Sequence, residues 1–112
     1  MPEKVTTFFQ EKKIAYKETE DIRDALACDV IYMTRVQQER FADKSEYERL
    51  KLKYVLTADL LKGKKTVVMH PLPRVGEIAA DVDALPNAAY FRQAGNGVPV
   101  RMALLAMLLK KA

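Results

Sequence analysis

The chain is poor in the residues that most often announce a reactive site: it has one cysteine and one histidine among 112 residues. Cys28 cannot form a disulfide within the chain, and with only His70 elsewhere to pair with it reads as a structural thiol rather than a nucleophile. His70 has no cysteine or second histidine at metal-ligand spacing, which excludes a zinc site. No glycine-rich loop has phosphate-binding spacing, so Gly95-Asn96-Gly97 reads as a turn. Repeats and low-complexity segments are lacking as well, and the sequence is one continuous piece. Its longest apolar run, residues 102–109, falls far short of the roughly 20 residues that span a bilayer. No charged-then-apolar leader opens the chain, and a reducing cytoplasm is the expected compartment.

Charge of one sign is also sparse. The formal net charge is +4, but the basic residues are scattered among 15 acidic ones. No basic run is longer than two residues, as in Lys64-Lys65 and Lys110-Lys111, too short for the footprint of a nucleic-acid-binding surface. Neither nucleic acid nor a membrane is expected as a partner.

What is present is a chain 49% hydrophobic and 30% charged, enough for one domain or part of one. Pro2 suits a first helical turn, and Val5, Phe8 and Phe9 follow at helical spacing. Residues 14–16 read as a short strand, 18–27 as a second helix, and 29–33 as a strand whose unbroken apolarity predicts burial on both faces of a parallel sheet. A polar, charged stretch over 34–53 predicts a long loop with a helical turn near 46–52. Thr57 is positioned to cap a short helix that Gly63 would stop, and 66–69 is a further buried strand. Residues 74–87 are less regular; the Gly95–Gly97 turn then leads to a closing helix from Pro99 to about Lys110. Strands alternating with helices give an α/β fold, here a partial Rossmann-like parallel sheet flanked by helices, with a long C-terminal helix.

Two segments follow the carboxyl ends of predicted strands, the edge at which open α/β sheets bind ligands. Thr34-Arg35-Val36-Gln37 offers a planar fork of donors matched to a carboxylate and an amide two residues on. A surface ion pair between Arg35 and Glu39 explains the same residues equally well. In His70-Pro71-Leu72-Pro73 two prolines remove two backbone donors and leave carbonyls that could grip an NH₂ group. The alternative is that the prolines merely end a strand and His70 packs locally.

Three stretches together carry a resemblance: Tyr32-Met33-Thr34-Arg35-Val36-Gln37, His70-Pro71-Leu72-Pro73-Arg74-Val75-Gly76-Glu77-Ile78, and Tyr90-Phe91-Arg92-Gln93-Ala94-Gly95-Asn96-Gly97. In this order and spacing they resemble the aspartate carbamoyltransferases, over essentially the whole chain. The related ornithine enzymes typically carry a cysteine where this chain has Pro71, which favours aspartate. The resemblance implies transfer of a carbamoyl group from carbamoyl phosphate to the α-amine of L-aspartate, a step of pyrimidine synthesis, without a cofactor. It implies that Arg35 and Gln37 hold the aspartate side chain and that Glu39 orients Arg35 in a mobile loop. The backbone around Pro71, Leu72 and Pro73 would hold the carbamoyl group. Arg101 would support the site from behind or tie domains together.

The same resemblance makes residues 1–112 the C-terminal part of an aspartate-binding domain. The family's Ser-x-Arg-Thr phosphate-binding motif belongs to an N-terminal domain with no counterpart here. The chain alone is therefore expected to be inactive, with that domain or a complementing chain as partner and a homo-oligomer, trimeric in the family, as its setting. A non-catalytic binding module that pairs with another chain is the alternative. The closing helix, apolar on nearly all sides, is expected to need cover all round.

Overall fold

A computed structural model of the chain describes residues 1–37 and 41–110. Its centre is a two-stranded parallel sheet, β1 (Val30–Tyr32) beside β2 (Val67–Met69), with Val30 opposite Val67 and Tyr32 opposite Met69. Before it come α1 (Glu3–Glu11) and α2 (Ile22–Ala25); between the strands lies α3 (Lys44–Lys53), and after them α4 (Tyr90–Leu108). This is the expected α/β arrangement with a long final helix. Among the described residues no helix is long and apolar enough to cross a membrane.

Two isolated bridges accompany the sheet, one of them on β2. Val68 pairs on its outer side with Ala88, through Val68 N–H to the Asn87 carbonyl and Ala89 N–H to the Val68 carbonyl, both at 2.9 Å. Leu56 pairs in parallel with Ile78 by the same reciprocal pattern. These bridges draw Leu56, Leu61, Val68, Ile78, Val82 and Tyr90 into one buried cluster. The core therefore lies on the β2 side of the sheet and depends on residues that sequence periodicity left as irregular.

Several expectations need correction. Residues 14–16 are not a strand: Ile14 and Tyr16 are exposed, and the Tyr16 ring lies against Phe9, with centroids 5.4 Å apart. Their β-rich composition favours extended backbone, but a strand also needs an edge to pair with. The second helix is confined to Ile22–Ala25 because Asp21 caps it, accepting from Arg23 N–H, while Lys17 and Thr19 hydrogen-bond to Asp24 and hold the approach as a turn. β1 is not buried on both faces; Ile31 points inward while Val30 and Tyr32 remain about half exposed. The apolar run thus marks a strand whose outer face is only partly covered among the described residues.

The 34–53 stretch holds a ten-residue helix rather than a single turn. Asp43 starts it by accepting from Ser45 N–H at 2.8 Å, the Asp-x-x-Glu pattern of a capped N-terminus. The largest departure is α4, which runs unbroken through Gly95, Gly97 and Pro99. Pro99 forfeits the helical bond to the carbonyl four residues back and crowds it. That residue is Gly95, and a glycine at this point lets the backbone give way. Only Tyr90 of α4 is buried, and Leu104, Leu105, Met107 and Leu108 are all more than half exposed.

Leu56 is fully buried and its backbone bridges to Ile78. Leu56→Ala should cost about 2–5 kcal/mol through lost transfer energy and the cavity left behind, a large share of what a core this small can supply. Urea unfolding should show a lower midpoint at unchanged slope; an unchanged midpoint would mean that the cluster is not the core.

Candidate functional site

Parallel pairing in register makes β1 and β2 end side by side, and the ladder is closed by Met33 N–H donating to the Met69 carbonyl at 2.9 Å. The two segments singled out in the sequence therefore leave the sheet next to each other, at its carboxyl edge. Together, residues 34–37, Phe41 and residues 70–73 line an open cavity of about 560 Å³, a volume suited to a small polar metabolite. Arg35 and Gln37 stand on one wall, and Pro71, Leu72 and Pro73 on the other. Glu39 lies outside the described residues. Arg101 does not line this cavity; it sits on α4 over Gly97, its Nη1 so close that a Cβ on Gly97 would lie 2.5 Å away. Among the described residues no cluster of His, Cys, Asp and Glu could hold a metal ion.

The Pro71–Pro73 wall is held from behind by a buried network that spacing alone did not disclose. His70 is 1% exposed and Glu77 5%. The imidazole Nε2 is 2.6 Å from Glu77 Oε1, and Nδ1 accepts from Leu72 N–H at 2.8 Å. Glu77 Oε2 accepts from the N–H groups of Val75 and Gly76, each at 3.1 Å. Burial opposes the Glu77 charge, yet amide hydrogen bonds from the loop, with His70 behind them, hold its carboxyl below the ordinary range. Leu72 has φ +53° and is followed by a cis bond to Pro73. Because neither proline has an N–H, the Leu72 amide is the single donor of residues 71–73. Among the described residues no hydrogen bond to the carbonyls of Pro71 and Leu72 is made.

Arg74 does not face the cavity as a spare cation. Its guanidinium binds both carboxylate oxygens of Asp83 and lies 3.2 Å from the Tyr90 hydroxyl, which itself donates to Asp83. Burial, and after it the bond to Asp83, pushes the Tyr90 hydroxyl up to about 12. This cluster pins the loop to the start of α4. Gln93, one turn further along, accepts from His70 N–H at 3.0 Å and donates to the Tyr32 hydroxyl at 2.8 Å, which ties α4 to the ends of both strands. Gln93 and Glu77 were quoted in the sequence motifs without a role. The available signal was that a histidine ending a buried strand needs partners for both ring nitrogens, and Glu77 is the nearest acid after the turn.

Residues 2–108 match the family model described as the Asp/Orn binding domain of aspartate/ornithine carbamoyltransferase. The chain is 49% identical over 112 residues to an aspartate carbamoyltransferase catalytic subunit of Methanosarcina acetivorans, covering 97% of this chain and 36% of that relative. It superposes on the catalytic subunit of M. jannaschii aspartate transcarbamoylase with TM-score 0.91 and 44% identity, over 100% of this chain and 38% of that one. A Trypanosoma cruzi aspartate transcarbamoylase solved with carbamoyl phosphate and aspartate matches with TM-score 0.77 and 34% identity, over 94% of this chain and 35% of that one. The chain thus spans little more than a third of the length of the relatives it matches. A parallel sheet with an arginine loop and a His-Pro-Leu-Pro loop at its carboxyl edge, matched over nearly its whole length, is a chain that belongs to the aspartate/ornithine carbamoyltransferase family, through its Asp/Orn-binding domain.

Proposed function

We propose that this chain is the aspartate-binding part of an aspartate carbamoyltransferase, residues 1–112 forming the C-terminal part of its aspartate-binding domain. The observation that carries this is the single cavity shared by residues 34–37 and 70–73. Arg35 pairs its planar fork with the side-chain carboxylate of L-aspartate, and Gln37 adds an amide donor. Glu39 orients Arg35. The carbonyls of Pro71 and Leu72 accept from the carbamoyl NH₂ and from the attacking amine, and Pro73 stiffens the segment. Arg101 supports this face from α4 or meets a neighbouring domain.

The reaction joins the α-amino nitrogen of aspartate to the carbamoyl carbon. The carbonyl π bond opens to an oxyanion, which collapses to re-form the C=O as the bond to the phosphate oxygen breaks, and the amine proton passes to the departing phosphate. Alignment of amine and carbonyl is the contribution of the two loops. Donors for the oxyanion and the phosphate come from the part of the relatives that lies outside the matched third. Its setting is a homo-oligomer in the cytoplasm, with no cofactor. A second reading, a non-catalytic module that associates with another chain, is favoured by one observation, the uncovered apolar face of α4.

Three outcomes follow from these roles. The pure chain should form no carbamoyl aspartate, whereas the M. jannaschii catalytic subunit with its matching third replaced by this chain should do so; colorimetric turnover by the pure chain, or none by the hybrid, would contradict the assignment. In that hybrid, Arg35→Lys should lower kcat/KM for aspartate about 10- to 100-fold, the loss expected when a charge-assisted hydrogen bond of about 1.5–3 kcal/mol goes. An unchanged kcat/KM would return Arg35 to a surface ion pair. Finally, sedimentation equilibrium of the chain alone should show self-association that Leu105→Lys with Leu108→Lys abolishes, because several large side chains otherwise stay in water at about 1.5–3 kcal/mol each. A well-folded monomer at micromolar concentration would mean that α4 needs no cover.

A further inference from the structure

The contacts proposed above leave the buried His70 ring without a role. It is the chain's one histidine, and its polar groups engage three parts of the site's frame. The His70 backbone N–H donates to Gln93, which also holds Tyr32 at the end of β1. Its Nε2 meets Glu77, and its Nδ1 meets the Leu72 amide. An amide N–H can only donate, so Nδ1 is the unprotonated nitrogen and the ring proton sits on Nε2, facing the Glu77 carboxylate. Glu77 is itself fixed by the Val75 and Gly76 amides. The loop thus selects the tautomer, and the tautomer in turn holds the loop.

That hold has a direction. The Leu72 N–H shares a planar trans peptide with the Pro71 carbonyl, which points the opposite way. Whatever fixes the N–H to the imidazole therefore turns the Pro71 carbonyl away from it. Without the bond, Leu72 has little reason to keep φ +53°, a conformation that branched and bulky residues rarely adopt. The conformation is held by the imidazole on one side and by the two flanking prolines, which have no amide to offer an alternative partner.

We propose that His70 is a positioning residue: its Nδ1, kept an acceptor by Glu77, grips the Leu72 amide and so aims the Pro71 carbonyl at the carbamoyl NH₂. The catalytic half of this statement rests on the function proposed above; the tautomer and the peptide orientation do not. Two variants separate the ring's two bonds. In His70→Asn the side-chain oxygen can stand where Nδ1 stood, whereas in His70→Gln the side-chain NH₂ can stand where Nε2–H stood. Both shorten or reshape the buried side chain, so a purely structural role would be damaged by both.

The test has two arms. In the ¹⁵N-labelled 112-residue chain, a coupling across the hydrogen bond should link the Leu72 amide nitrogen to His70 Nδ1. In the M. jannaschii hybrid, His70→Asn should retain most of the turnover. His70→Gln should lower kcat about 10- to 100-fold, the scale of a reacting group misplaced by about 1 Å, with a smaller change in KM for aspartate. Absence of the coupling, a proton found on Nδ1, or equal losses in the two variants would overturn the proposal. A parent hybrid without turnover would overturn the proposed function and the catalytic half of this proposal, while the coupling would still decide the tautomer and the loop geometry. If His70→Gln fails to fold, the coupling in the parent and the kinetics of His70→Asn decide the outcome, a large kcat loss in the latter counting against the proposal.

Discussion

The in-register parallel pairing of β1 and β2 is the constraint from which the site follows. Only six residues form the ladder, yet its register decides that the chain leaves both strands at the same edge and the same height. A shift by one residue would exchange the buried Ile31 and Val68 for less buried neighbours and turn each following loop away from the other. Register is specified here by burial of one residue in each strand: Val68 belongs to the cluster built around Leu56, Ile78 and Tyr90, and its partner Ile31 is buried as well. The bridge from Val68 to Ala88 reinforces it from the β2 side. Packing, rather than the length of the ladder, sets the geometry of the cavity.

Polar interactions then convert that geometry into a shaped wall. The His70–Glu77 pair is buried with every partner satisfied, and among the described side chains no buried polar atom lacks a hydrogen bond. Such networks specify one arrangement because a half-satisfied alternative would strand a buried group, at about 1–3 kcal/mol. Arg74 and Asp83, less buried, hold the far side of the loop to the buried Tyr90. The segment between them keeps a left-handed leucine that local preference would not choose.

Much of this was legible in the sequence, though unevenly. Strand positions at 29–33 and 66–69 could be read from unbroken apolarity, and the two loops from their place after those strands. Burial of both sheet faces could not, because apolarity records that a face needs cover without recording whether these residues supply it; Val30 and Tyr32 are the result. Glycine and proline at 95–99 signalled a turn by local preference, and the continuous helix overrode it. The Asp43 cap was present as Asp-x-x-Glu but lay within a stretch dominated by charge. His70 and Glu77 meet across a turn whose backbone, with φ +53° at Leu72 and +152° at Gly76, has no periodicity for spacing to reveal. Arg35 and Gln37 were singled out by chemistry and position together, and both line the cavity; a surface ion pair at Arg35 was an equal reading of the same residues.

The central claim is that the loops after β1 and β2 hold one ligand between them. A crystal structure of the M. jannaschii hybrid carrying this chain, with N-(phosphonacetyl)-L-aspartate bound, tests it most directly. The account predicts that a single analogue molecule touches both walls, with its aspartate carboxylate against the Arg35 guanidinium and the Pro71 or Leu72 carbonyl within hydrogen-bond distance of its amide nitrogen. An analogue bound in the hybrid without contact to residues 34–37, or without contact to residues 70–73, would contradict it.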